Sequence, residues 1–178
     1  GAGPAGATAA TLLARYGHRV LLLDRDEFPR DKVCGDALLP DAVAVLSRLG
    51  TADAVRERAC AFDQASFFSP GGVEMRVPGR FMTVRRRVLD QLLVDAAVDA
   101  GAHLCQARVG RISASRGGGV RLDAEGFPEP FLARMGILAT GWRLRLARQL
   151  RMAAASVPPS VLACSGVVKG DATVPHMA

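Results

Sequence analysis

Apolar residues along the chain fall into short blocks whose spacing switches between helical and strand-like periods. Residues 7–16 are rich in alanine and leucine and predict a helix, broken by Gly17-His18. Residues 19–23 form an apolar strand that ends on Asp24. The polar stretch 25–36 is irregular, with Pro29 and Gly35 as breakers. Pro40 suits a first helical position and opens a helix through Leu49, which Gly50 stops. Thr51 or Asp53 supplies a cap for a short helix after it. Residues 62–69 and 73–77 read as strands around the turn Pro70-Gly71-Gly72, a β-hairpin. Val88, Leu89, Leu92, Leu93 and Ala96 recur at helical spacing, so residues 86–100 predict an amphipathic helix stopped by Gly101. Short strands follow over 103–106, 110–115 and 120–124, with Gly117-Gly118-Gly119 as the turn between the last two. Residues 131–139 are the next apolar segment, and 142–152 predict a basic helix. From Ala153 onward there are small residues, Pro158-Pro159 and no clear period.

The first block carries chemistry. Gly1-Ala2-Gly3-Pro4-Ala5-Gly6 is a G-x-G-x-x-G, followed by helix, strand and the acid Asp24 at the spacing of a dinucleotide-binding βαβ unit. Gly1 permits the tight turn, Gly3 lets backbone approach a pyrophosphate, and Gly6 lets the helix pack close to the sheet. Free N–H groups and the positive end of the helix dipole favour a phosphate anion there. Asp24, at the carboxyl end of its strand, can accept hydrogen bonds from ribose hydroxyls. No residue stands before Gly1 to form the strand such a loop follows. The expected fold is therefore α/β: an incomplete Rossmann-like domain lacking its first strand, with the β-hairpin as an insertion. Residues 1–152 form that domain, and 153–178 are an irregular tail, the start of a missing substrate domain or a remnant.

Composition narrows the class. A chain of 178 residues with 49% hydrophobic residues is long enough for one real core. No apolar run approaches the ~18 residues of a transmembrane helix. Cys34, Cys60, Cys105 and Cys164 show neither C-x-x-C nor zinc spacing, which favours reduced thiols, a cytoplasmic setting and no metal. The net charge of +6 is almost wholly arginine, with clusters at Arg85-Arg86-Arg87 and along Arg143, Arg145, Arg148 and Arg151. No aromatic residues interleave with them, so nucleic acid is not an expected partner.

Three segments then carry a resemblance. The glycine loop, the segment Asp24-Arg25-Asp26-Glu27-Phe28-Pro29-Arg30-Asp31-Lys32-Val33-Cys34-Gly35-Asp36 and the helix start Arg86, Leu89, Asp90, Leu93 together resemble the geranylgeranyl-reductase-like group of FAD-dependent oxidoreductases. That group belongs to a wider class with aromatic-ring hydroxylases and flavin halogenases. Its block "A-D-G-x-x-S-R-L-A-R-Q-L-G" stands here as 139–151, with Thr140 for Asp, Leu144 for Ser and Arg151 for Gly. Gly170-Asp171-Ala172 is similar to a later "GDA" flavin block of the group.

The resemblance implies FAD as cofactor, with NAD(P)H as electron donor. Gly1, Gly3, Pro4, Ala5 and Gly6 would cradle the pyrophosphate; Asp24 would hold the adenosine ribose, and Arg25 would also touch the cofactor. Arg30, Lys32, Cys34 and Gly35 would line the loop beside the ribityl chain and isoalloxazine. Arg86 would lie near the cofactor, and Gly141 would complete the site. The implied activity is reduction of an alkene or hydroxylation of an apolar small molecule, with peripheral membrane contact if the substrate is a lipid. A halogenase is disfavoured, since no lysine occurs between Lys32 and Lys169. The alternatives are an NAD-dependent dehydrogenase domain, which Asp24 would also serve, and an inactive truncated remnant.

Overall fold

The computed structural model describes residues 1–34 and 36–152. The tail and the Gly170-Asp171-Ala172 block lie outside the described residues, as does Gly35.

Helix α1 (Pro4–Arg15) starts three residues earlier than the apolar pattern alone indicates, because Pro4 presets the first turn. Its buried face is made of small residues, Gly6, Ala7, Ala10 and Thr11, so the helix lies close against what it covers. Its end is a left-handed Gly17, where the Gly17 N–H donates to Ala14 O and the His18 N–H to Leu13 O. Strand β1 (Leu21–Asp24) follows and pairs in parallel with β5 (His103–Gln106), Leu21 opposite His103 and Asp24 opposite Gln106.

Between them the chain builds β2 (Ala37–Leu38), α2 (Pro40–Leu49), α3 (Ala52–Arg56), β3 (Cys60–Phe68), β4 (Glu74–Thr83) and α4 (Arg86–Asp99). β3 and β4 form the expected hairpin, longer than predicted and bulged between Phe62 and Gln64; β2 joins the other edge of β4. The two-residue β2 is too short to leave a periodic signal. Gly50, left-handed at the end of α2, sends the chain into α3. Thr51 does not cap α3 with its side chain; its hydroxyl donates to Leu46 O instead. The Arg15 guanidinium donates to the carbonyls of Arg48 and Leu49, a cation at the negative end of the α2 dipole.

The core forms where α1, α2 and α4 meet the β1–β5 pair. Leu22, Leu46, Leu49, Val55, Leu89, Leu93, Val94 and Ala97 are buried there. The predicted spacing of α4 holds for Leu89 and Leu93, which face inward.

A second antiparallel sheet is formed by β6 (Val109–Ala114), β7 (Val120–Ala124) and β8 (Phe131–Ala133). The apolar segment 131–139 is a strand over its first three residues, and 134–139 pair with no strand among the described residues. The basic helix expected over 142–152 contracts to α5 (Arg145–Gln149), which buries no residue. With no face to bury, its place is set by polar contacts: Arg145 and Gln149 both donate to Gly110 O, and the Ile112 N–H donates to Gln149 Oε1.

Replacing Leu93, 2% exposed, with alanine should lower stability by ~2–5 kcal/mol. The same change at Val98, 46% exposed on the same helix, should cost well under ~1 kcal/mol. Urea midpoints of the two variants measure the contrast, and equal losses would contradict this placement of the core.

Candidate functional site

The glycine loop sits where sequence placed it, at the N-terminus of α1. Gly3 is the N-cap in extended conformation, and its carbonyl accepts from the Ala7 N–H at 2.9 Å. Pro4 has no N–H to satisfy, and the amides of Ala5 and Gly6 in the first turn have no intrahelical acceptor. A methyl group at Gly6 would overlap the Gly1 carbonyl oxygen and press on Ala139; one at Gly1 would overlap the Ala139 carbonyl. Residue 139 therefore lies against the loop.

Asp24 is 8% exposed and ties the loop to the sheet. Its Oδ2 accepts the Ala2 N–H at 2.6 Å and its Oδ1 the Asp26 N–H at 3.0 Å. Each carboxylate oxygen retains a lone pair, so the acid can still take a ribose hydroxyl while serving as the latch. Arg25 points outward against Asp26, 3.3 Å away.

The loop after β1 returns to the same place. Arg30 stacks over Phe28 at 4.8 Å, and its side chain is 13% exposed. Helix α4 brings Arg86 and Asp90 from below. Asp90 is fully buried and takes Arg86 in a two-point fork, Nε to Oδ1 at 2.7 Å and Nη2 to Oδ2 at 2.9 Å. Arg30 Nη1 is 3.1 Å from Asp90 Oδ2 but off the hydrogen-bond axis; Nη1 and Nε are buried without an acceptor. The Arg86 pKa is raised above its ordinary value chiefly by the Asp90 hydrogen bond, against desolvation and with help from the Cys34 side chain beside it.

The sequence cluster 85–87 thus divides. Arg86 turns inward, Arg87 pairs with Asp31 at 3.3 Å, and Arg85 is the exposed N-cap. The first N–H of α4 is met from across the chain: Asp36 Oδ1 accepts the Arg86 N–H at 3.3 Å.

Two guanidiniums face Gly3. A methyl group built there would lie 3.4 Å from Arg30 Nη2 and 3.9 Å from Arg86 Nη2. Two cations, the buried Asp90 carboxylate between them and unbonded helix amides surround the glycine, with Asp26 also 3.9 Å from Arg30 Nε.

The other expected residues stand around this cluster. Lys32 and Arg143 flank the exposed ring of Trp142 at 5.8 and 5.1 Å. Cys34 is half-buried and, like Cys60 and Cys105, unbridged. Gly141 is left-handed with open space around it, and the Thr140 hydroxyl donates to Arg143 O. Asp90 and Asp36 were not expected to shape the site. The Arg86–Asp90 spacing of four residues was a readable helix pair; the Asp36 contact spans fifty residues and had no local signal.

A parallel strand pair, a glycine loop at a helix start and an acid at the strand end define a dinucleotide-binding α/β protein. The chain belongs to the FAD binding domain family, whose match covers residues 1–114. That match settles the expected cofactor as FAD. It is 43% identical over 113 residues to the menaquinone reductase of Mycobacterium tuberculosis, covering 58% of this chain and 27% of that protein. It is 32% identical over 169 residues to digeranylgeranylglycerophospholipid reductase 2 of Methanopyrus kandleri, covering 93% of this chain and 42% of that protein. Among solved structures, the flavin-dependent brominase Bmp2 matches with TM-score 0.71 and 23% identity over 84% of this chain and 38% of that one, a likeness of fold. The chain spans less than half the length of these relatives. Among the described residues, no helix is long and apolar enough to cross a membrane.

Asp24→Ala would leave the buried Ala2 amide without its acceptor and should cost ~1–3 kcal/mol of stability. Titration should show FAD binding weakened on the same scale, since the loop loses its latch. Wild-type melting and wild-type FAD affinity in this variant would remove Asp24 from both roles.

Proposed function

We propose that this chain is the cofactor-binding part of a flavin-dependent oxidoreductase acting on an apolar small molecule, by alkene reduction or hydroxylation. The observation that carries the reading is the cradle at Gly3, with Arg30 and Arg86 on one side and the α1 amides on the other. Relatives described as menaquinone reductase and digeranylgeranylglycerophospholipid reductase favour reduction and a lipid-like substrate.

When bound, FAD supplies hydride transfer or oxygen activation at the isoalloxazine. This chain's own residues bind and orient it. Gly3 and Gly6 let backbone approach the diphosphate, Arg30 and Arg86 balance its charge, and Asp24 holds the loop while its free lone pairs take the ribose. Cys34 stands beside Arg86, on the loop that would lie toward the flavin. NAD(P)H is the proposed electron donor. If the substrate is a lipid, the exposed hairpin residues Phe67, Phe68 and Met75 offer a surface for membrane contact.

A further strand also fits this reading. Among the described residues β1 is paired on one side only, with β5, and Leu21 and Ile137 are exposed. An apolar strand leading into Gly1 would lie between β1 and residues 136–139, bonding to both and completing the Rossmann-like sheet. It would be buried on both faces, as parallel strands are.

The whole protein should purify yellow and release FAD on denaturation. A colourless protein that binds NAD and ignores added FAD would sink this function. Extending residues 1–178 at the N-terminus with an apolar strand should sharpen urea unfolding and raise FAD affinity. An unextended chain that already unfolds sharply and binds one FAD tightly would remove the need for that strand.

A further inference from the structure

We propose that the Gln149 carboxamide stands in for a neighbouring strand at the free edge of β6, and that this contact keeps β6 from pairing with β6 of a second copy of the chain. The contact belongs to the second sheet and is independent of the flavin reading.

β6 is the outer strand of its sheet: the order is β6-β7-β8, and among the described residues only β7 pairs with it. An outer strand presents a row of backbone N–H and C=O groups that another chain can use. Two of these groups are already taken. Gln149 Nε2 donates to Gly110 O at 3.0 Å, and Gln149 Oε1 accepts the Ile112 N–H at 3.0 Å. One amide group thus gives a donor and an acceptor to residues two apart on one edge, as a single residue of a parallel neighbour would. Arg145 Nη2 adds a second donor to Gly110 O at 2.7 Å. Gly110 leaves room for both; a methyl group there would lie 3.4 Å from Arg145 Nη2.

The guard covers only part of the edge. Pairing with β7 is regular from Ile112, opposite Leu122, to Ala114, opposite Val120, so the backbone direction alternates there. The Ile112 N–H faces outward to Gln149, and the Ala114 N–H therefore faces outward too. An open groove of about 620 Å³ runs beside them, lined by Ile112, Ser113, Ala114, Gln149 and Leu150. In an antiparallel pair centred on Ser113, Ile112 of each copy would exchange backbone bonds with Ala114 of the other. Arg111 would then face Ser115, so no like charges meet across the pair. The strand complements itself, and a second copy is the partner that fits this edge. What withholds the edge is α5, a helix that buries no residue and is placed by these polar bonds.

The test uses the whole protein. In wild type, protection from hydrogen exchange should be about tenfold greater at the Ile112 amide than at the Ala114 amide, the scale of one hydrogen bond. Equal protection would show that Gln149 does not hold the edge and would overturn the proposal. Gln149→Ala combined with Arg145→Ala should release the edge, and sedimentation velocity should then show concentration-dependent association beyond that of wild type. Adding Ala114→Pro to that pair should abolish the extra association, because it removes an outward N–H without costing a bond to β7. Circular dichroism and urea midpoints follow every variant. Should the combined variant lose its fold, Gln149→Asn, too short to span both groups, takes its place with the same expectations. A folded variant that associates no more than wild type overturns the proposal, as does extra association that Ala114→Pro leaves intact.

Discussion

The close approach of α1 to the chain beneath its first turn is the constraint on which the site depends. Gly6, Ala7, Ala10 and Thr11 form a face with almost no side-chain depth, and at Gly6 even one methyl would strike the Gly1 carbonyl. Because the helix sits so low, its N-terminus opens at the end of β1, within reach of Asp24. The single bond from the Ala2 amide to Asp24 then spans twenty-two residues and sets where the loop's amides point. Larger residues on that face would lift the helix and separate the dipole end from the strand end that complements it.

Around that fixed point the protein assembles charge from separate segments. A loop after the first strand, a buried acid in α4 and an arginine at its first turn converge on one glycine. None is a strong feature alone. Arg86 at a helix start opposes the dipole, and Asp90 in a core carries a desolvation cost. Together the two offset each other, with the Arg30 and Arg86 guanidiniums turned toward Gly3. The local unfavourable choices are thus concentrated at the binding site, where natural sequences commonly depart from local rules.

Much of this was legible in the sequence. The glycine loop, Asp24 and the inward face of α4 all follow from spacing, because each is a short-range pattern. The helix over Pro40–Leu49 was read to the residue, since a proline and a glycine mark its ends. What failed lay where tertiary contact outweighs local preference. Residues 142–152 are rich in good helix formers, yet Arg145 and Gln149 spend their polar ends on Gly110 and the helix closes after five residues. The roles of Asp36, Arg30 and Asp90 depend on segments far apart in the chain, which no periodicity reports.

The bond from Asp36 to the Arg86 amide has a consequence for how the site responds to a ligand. One residue of the loop that carries Cys34 serves as the missing cap of the helix that carries Arg86. The order of the loop and the order of the helix start are therefore linked equilibria. The coupling free energy between them is the same in either direction. In the proposed flavin-binding reading, a diphosphate held at Arg86 and a molecule held near Cys34 would each favour the other through this one hydrogen bond, without touching.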